Sequence, residues 1–148
     1  MDAIRLDDLS NHVGREAISD WLLVDQDRVN LFAEATGDHQ WIHVDVERAT
    51  REMGGTIAHG FLTLSLIPVL SKGLIDVTGV GRRVNYGTDK VRFVSMVRVG
   101  QRVRLRLQLA GVEPRAGGLQ MRNLCTIEIE GEDKPACVAE TLILLYAG

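Results

Sequence analysis

One stretch constrains the fold more than any other. From Phe61 through Leu62, Thr63, Leu64, Ser65, Leu66, Ile67, Pro68 and Val69 to Leu70, apolar side chains cover nearly every face of a helix. A helix that is apolar all round is normally buried on several sides, so this one predicts a layer of structure around it. Pro68 lacks the N–H that the helix ladder needs and should bend the helix or end its regular part. The material to cover it lies downstream. Val103, Leu105, Leu107 and Leu109 alternate with Arg102, Arg104, Arg106 and Gln108, the period-two pattern of a strand with one wet face. Residues 83–94 look extended, residues 119–130 alternate less cleanly, and residues 137–146 form a final apolar run. Gly117-Gly118 and the segment from Gly131 to Pro135 supply the turns between them.

Upstream, Asp25 is a good N-cap. Val29, Phe32, Ala33 and Thr36 follow at helical spacing, and Gly37 supplies a stop. Residues 21–24 offer a strand before this helix. Residues 38–45 have no clean period and read as a loop. Asp45 is placed to cap a short helix over residues 46–52, ending at Gly54-Gly55. The order predicts one α+β domain over residues 1–148, an antiparallel sheet wrapped around one apolar helix. The edge strands of so small a sheet are the natural place for dimerisation.

The chain's 148 residues suffice for one core. Its net charge of −3, with acidic and basic residues interspersed, argues against nucleic-acid binding. Cys125 and Cys137 lack CxxC spacing, so neither a disulfide framework nor a zinc knuckle is expected. Residues 1–8 have no apolar core of a signal peptide, and residues 61–70 are too short to cross a bilayer. These features point to the cytoplasm. Gly79-Val80-Gly81 lacks the third glycine and the strand-to-helix context of a dinucleotide loop.

Chemistry concentrates after the first helix. Asp38 and His43 share one irregular segment, with Trp41 and Ile42 between them as a prospective dry wall. An imidazole and a carboxylate held to one point can pass protons near neutral pH. On spacing alone the plainer reading leads, with Asp38 as helix-end punctuation and His43 as a satisfied polar residue. A metal reading uses His39 and His43 with Asp38 and Asp45, but four-residue spacing aligns ligands only on a helix, and the HExxH glutamate is missing. His59-Gly60 opens the apolar helix. There, unpaired backbone N–H groups meet the positive end of the helix dipole, and a missing side chain would let a thioester carbonyl approach. Equally, Gly60 is room for tight packing.

The run from Ala33 to Asp45 (AEATGDHQWIHVD), with Gly54 to Leu62 (GGTIAHGFL), resembles the MaoC-like family, the (R)-specific enoyl-CoA hydratases. Asn85 to Phe93 (NYGTDKVRF) and Val97 to Val103 (VRVGQRV) resemble its NodN-like branch. The likeness implies a hot-dog fold, a homodimer or dimer of dimers, and a hydro-lyase that adds water reversibly to trans-2-enoyl-CoA to give (R)-3-hydroxyacyl-CoA. It implies that Asp38 and His43 are the catalytic dyad and that the Gly60 N–H is the oxyanion donor. It implies no metal and no cofactor, coenzyme A being part of the acyl-CoA thioester substrate.

Two departures bear on the pocket. Many relatives carry asparagine and proline where this chain has Gln40 and Trp41, and some carry a serine where it has Pro68. Gln40, Ser65 and Tyr86 are candidates to stand behind the catalytic pair, although core or strand roles suit Ser65 and Tyr86 better. Arg82, Arg83, Lys90, Arg92, Arg102, Arg104 and Arg106 are candidates for the phosphates of coenzyme A. A hot-dog acyl-CoA thioesterase and a non-catalytic acyl-thioester-binding subunit are the alternative functions.

Overall fold

A computed structural model describes residues 2–148; Met1, the first residue of the expected domain, lies outside the described residues. The chain opens with β1 (Ile4–Arg5), a 3-10 helix (Leu6–His12), β2 (Glu16–Ile18) and β3 (Leu22–Leu23). Helices α1 (Gln26–Thr36), α2 (Trp41–Val44), α3 (Val46–Met53), α4 (Gly60–Ser65) and α5 (Ile67–Leu70) follow. The remainder is β4 (Val77–Thr78), β5 (Val80–Phe93), β6 (Arg102–Arg115), β7 (Gly118–Ile129) and β8 (Cys137–Ala147). The large sheet runs β2-β6-β7-β8-β5, with β3 also on β6, and its ladders are antiparallel. β1 and β4 make a separate parallel pair that residue patterns did not announce.

The caps form as the sequence requires. The Asp25 carboxylate accepts from the Arg28 N–H, and Gly37 adopts a left-handed conformation with φ 81° to close α1. Asp45 caps α3 through the Arg48 N–H, and Gly54 closes it the same way. Residues 41–44, expected as loop, instead make a single helical turn between these two helices. Four residues are too few for a period to be visible in the sequence.

The apolar segment breaks where Pro68 interrupts the ladder: α4 ends at Ser65 and α5 starts at Ile67. Its expected burial holds on one side. Leu62, Leu66, Ile67 and Leu70 join the core with Val103, Leu105, Leu107 and Leu109 of β6, while Phe61 and Val69 face outward. One sheet covers one face of the helix and leaves the other open. On the outer side of β6, Arg104 and Arg106 pair with Glu128 of β7 at 3.4 and 3.3 Å, and Arg102 pairs with Glu130. The alternation of this strand is therefore a core face and a cross-strand ion ladder.

Strand β5 is unlike the others. It pairs with β8 alone, and residues 81–90 are exposed on both faces. Among the described residues no helix is long and apolar enough to cross a membrane.

Candidate active site

His43 is buried and fixed from several directions. It sits in the short turn α2, where its N–H donates to the Gln40 carbonyl at 3.0 Å. Its Nδ1–H donates to the Ile57 carbonyl at 2.7 Å, because a carbonyl can only accept. In the neutral ring that bond places the proton on Nδ1 and leaves the lone pair on Nε2. The His43 carbonyl accepts from Gln26 Nε2 at 2.8 Å, and the Gln26 amide oxygen accepts from the Thr56 hydroxyl. Gln26 is a supporting residue that sequence reasoning missed. It lies seventeen positions from His43, and only the packing of α1 on α2 brings them together.

Asp38 follows the left-handed Gly37 and is exposed. Its carboxylate accepts from the Gln40 N–H at 3.4 Å, an Asx turn that starts the chain towards His43. One carboxylate oxygen of Asp38 and one ring nitrogen each of His43 and His59 lie within 4.8 Å of one another. His59, read only as the residue before the helix, is buried. Its ring stacks on that of His43 with centroids 3.8 Å apart and planes 22° apart, and the Phe32 ring packs against it at a 55° tilt with centroids 4.9 Å apart.

This cluster does not suit a metal ion. His43 Nδ1 and His59 Nε2 each hold a carbonyl, and a metal binds imidazole in the plane of the ring. Two nearly parallel stacked rings do not aim their in-plane lone pairs at one point. His39 turns to Glu34 at 3.5 Å and Asp45 caps α3, so the residues of the metal reading disperse.

Gly60 and His43 line one cavity of about 240 Å³, walled by Ile57, Thr63, Phe93 and Met96. The Gly60 N–H is at the first position of α4, where no intrahelical acceptor exists. Because α4 has only six residues, the N–H group itself matters here more than the dipole expected from a long helix. The space left by its missing side chain is occupied by the Phe93 ring. The dry wall expected from Trp41 and Ile42 comes instead from Phe93 and Met96; Trp41 carries the Arg48 guanidinium 4.0 Å above its ring.

The other candidates lie elsewhere. Gln40 contributes through its backbone. Ser65 donates back to the Phe61 carbonyl at 2.7 Å, and Tyr86 bonds Arg115, which also stacks over its ring. Both line a separate cavity of about 770 Å³ between α4–α5 and β5–β8. Among the phosphate candidates, Lys90 pairs with Glu140 at 3.4 Å and Arg82 stacks on Tyr146 at 4.3 Å. With Arg102, Arg104 and Arg106 in the ion ladder, Arg82, Arg83 and Arg92 remain without a carboxylate partner among the described residues.

The family profile described as "MaoC like domain" matches residues 8–126. The 3-hydroxyacyl-thioester dehydratase Z of Mycobacterium tuberculosis is 54% identical over 131 residues, covering 87% of each chain. Nodulation protein N of Rhizobium meliloti is 45% identical over 149 residues, covering 97% of this chain and 92% of that one. Among solved structures, the (R)-hydratase from A. caviae matches with a TM-score of 0.74 over 90% of this chain and 96% of that one, at 21% identity. That likeness identifies the sheet and its helix as the hot-dog fold. With a family match over most of its length and a relative sharing more than half of its aligned residues, the chain belongs to the MaoC-like family and is an enzyme of the dehydratase type.

Proposed function

We propose that this enzyme adds water reversibly to trans-2-enoyl-CoA and forms (R)-3-hydroxyacyl-CoA. The observation that carries the reading is the state of His43. Its Nδ1–H is committed to the Ile57 carbonyl, which leaves Nε2 as the proton acceptor of the neutral ring; a ring nitrogen of His43 lies within 4.8 Å of an Asp38 carboxylate oxygen, and His43 shares a cavity with Gly60. In the forward direction Asp38 and His43 hold a water molecule and take one of its protons as its oxygen bonds C3. A proton is delivered to C2, so that the elements of water are added and nothing is oxidised. The Gly60 N–H donates to the thioester oxygen, where negative charge develops. The dyad does this work without a cofactor.

The exposed strand β5 supports a homodimer. Its free edge, with Val84, Tyr86 and Phe93 exposed along it, is a surface that a second copy would cover. The composition and cysteine usage support a cytoplasmic enzyme.

Incubation with crotonyl-CoA tests the reaction. The expected result is loss of the enoyl absorbance and formation of 3-hydroxybutyryl-CoA, oxidised by an (R)-specific and not an (S)-specific dehydrogenase. Release of free thiol without hydration would make the protein a thioesterase. Tight binding with neither product would make it a non-catalytic acyl-thioester binder. Asp38→Asn and His43→Ala should each lower hydration by about 10² to 10⁴-fold, the usual contribution of a positioned acid or base.

A further inference from the structure

We infer that His59 is a positioning residue that ties the two halves of the dyad together; the inference rests on the proposed roles of Asp38 and His43. Its Nε2–H donates to the main-chain carbonyl of Asp38 at 3.0 Å, across twenty-one positions of sequence. The flat face of the same ring lies 3.8 Å from His43. One side chain therefore sets both the backbone from which the Asp38 carboxylate springs and the plane in which the His43 ring turns.

Three further facts favour a functional role over simple packing. His59 is only 3% exposed, yet its Nδ1 has no hydrogen-bond partner among the described residues. A buried acceptor left unmade is a cost that phenylalanine or leucine at this place would avoid. Its own position is built tightly, with ring centroids of Phe32 at 4.9 Å and of His43 at 3.8 Å. Its carbonyl also accepts from the Thr63 N–H at 3.1 Å, which locks the residue to the first turn of α4 and so to Gly60. His59 thus joins Asp38, His43 and the Gly60 N–H, three groups whose relative placement sets the reaction geometry. A catalytic group misplaced by about 1 Å costs on the order of 10²-fold in rate.

The bonding pattern fixes the tautomer. The Asp38 carbonyl requires a proton on Nε2, so the neutral ring is bare at Nδ1. His59→Phe keeps a flat apolar ring against His43 and loses the donor. His59→Gln places an amide N–H₂ about where Nε2 stands and restores the donor.

The test is steady-state hydration of crotonyl-CoA by the full-length protein and by His59→Phe, His59→Gln, Asp38→Asn and His43→Ala, each checked by thermal melting. Imidazole ¹⁵N–¹H correlation spectra of the wild type accompany it. We expect His59→Phe to lower kcat by about 10- to 100-fold with KM little changed, and His59→Gln to recover most of the loss. The spectra should show His59 protonated at Nε2 and His43 at Nδ1. Wild-type kcat in His59→Phe, a loss confined to KM, or no recovery in His59→Gln would overturn the inference while inactive Asp38→Asn and His43→Ala leave the dyad standing. Full activity in those two variants would overturn the dyad and this inference with it. If His59→Phe fails to fold, the tautomer decides: a proton on His59 Nδ1 removes the bond on which the inference stands.

Discussion

The ring of Phe93 lies so close to Gly60 that a Cβ built on the glycine would meet three ring carbons at 3.0, 3.1 and 3.2 Å. The two plausible uses of this glycine, close packing and open access to its N–H, therefore coexist. The ring fills one side of the residue, and the residue lines the cavity it shares with His43. Gly60→Ala should cost about 1 kcal/mol, the low end for overpacking, since the obstruction is a half-exposed side chain that can swing aside. In a Phe93→Ala background the same substitution should cost nothing in stability, because the ring that the methyl would meet is gone. Urea midpoints for the four proteins of this cycle check it. Equal stability costs in both backgrounds would show that the ring is not what Gly60 accommodates.

Gln26 reaches from the first turn of α1 to hold His43 by its carbonyl, and it also donates to Asn30 Oδ1 at 2.9 Å. Gln26→Leu keeps the bulk of the side chain and strands the His43 carbonyl and the Thr56 hydroxyl. The expected cost is about 1 to 3 kcal/mol, the range for polar groups left unsatisfied in a buried setting. Hydration should fall severalfold through kcat. Unchanged kcat at reduced stability would limit Gln26 to a folding role.

The legible parts of this protein are those where a few adjacent residues decide the outcome. Asp25 and Gly37 bracket α1, the alternation from Arg102 to Leu109 sets both faces of β6, and the spacing of Asp38 and His43 survives in the structure as one cluster. The rest depends on contacts between distant segments. His59 meets Asp38 and His43, Gln26 meets His43, and Phe93 meets Gly60, each across 16 to 33 positions with no local pattern to announce it. Trp41 was misread for the same reason. Its apolar ring suggested a pocket wall, but Arg48, in the first turn of α3, takes its face. The exposure of β5 was equally hidden, because an exposed edge strand has no periodicity different from a covered one.

Burial pushes the Cys137 thiol up from 9.0 to about 11, with the neighbouring Cys125 adding to the shift. Above pH 9 the unfolded chain gives up this proton and the folded chain does not, so the thiol draws stability down as pH rises from about 9 to about 11. Below that window both states hold the proton, and the thiol adds no pH dependence to stability. Cys137→Val should flatten this part of the curve relative to wild type in urea midpoints at pH 8, 10 and 11. Parallel curves would show that Cys137 contributes nothing to the alkaline limb.

The hairpin between β6 and β7 turns on Ala116 and Gly117, with φ of 51° and 81°, and not on Gly117-Gly118 as the sequence suggested. Positive φ at both central residues is the two-residue turn that matches strand twist, and alanine pays for its Cβ there while asparagine tolerates it. Gly118 is a glycine for another reason. It pairs opposite Arg115 as the first residue of β7, and a Cβ on it would lie 2.4 Å from the Leu145 carbonyl oxygen. A backbone atom of a paired strand cannot retreat as a side chain can. Ala116→Asn should therefore raise stability by up to about 1 kcal/mol, whereas Gly118→Ala should lower it by about 1 to 3 kcal/mol or more. Thermal melts of the two variants check the opposite signs. A stabilising Gly118→Ala would mean that the Leu145 carbonyl does not stand against this position.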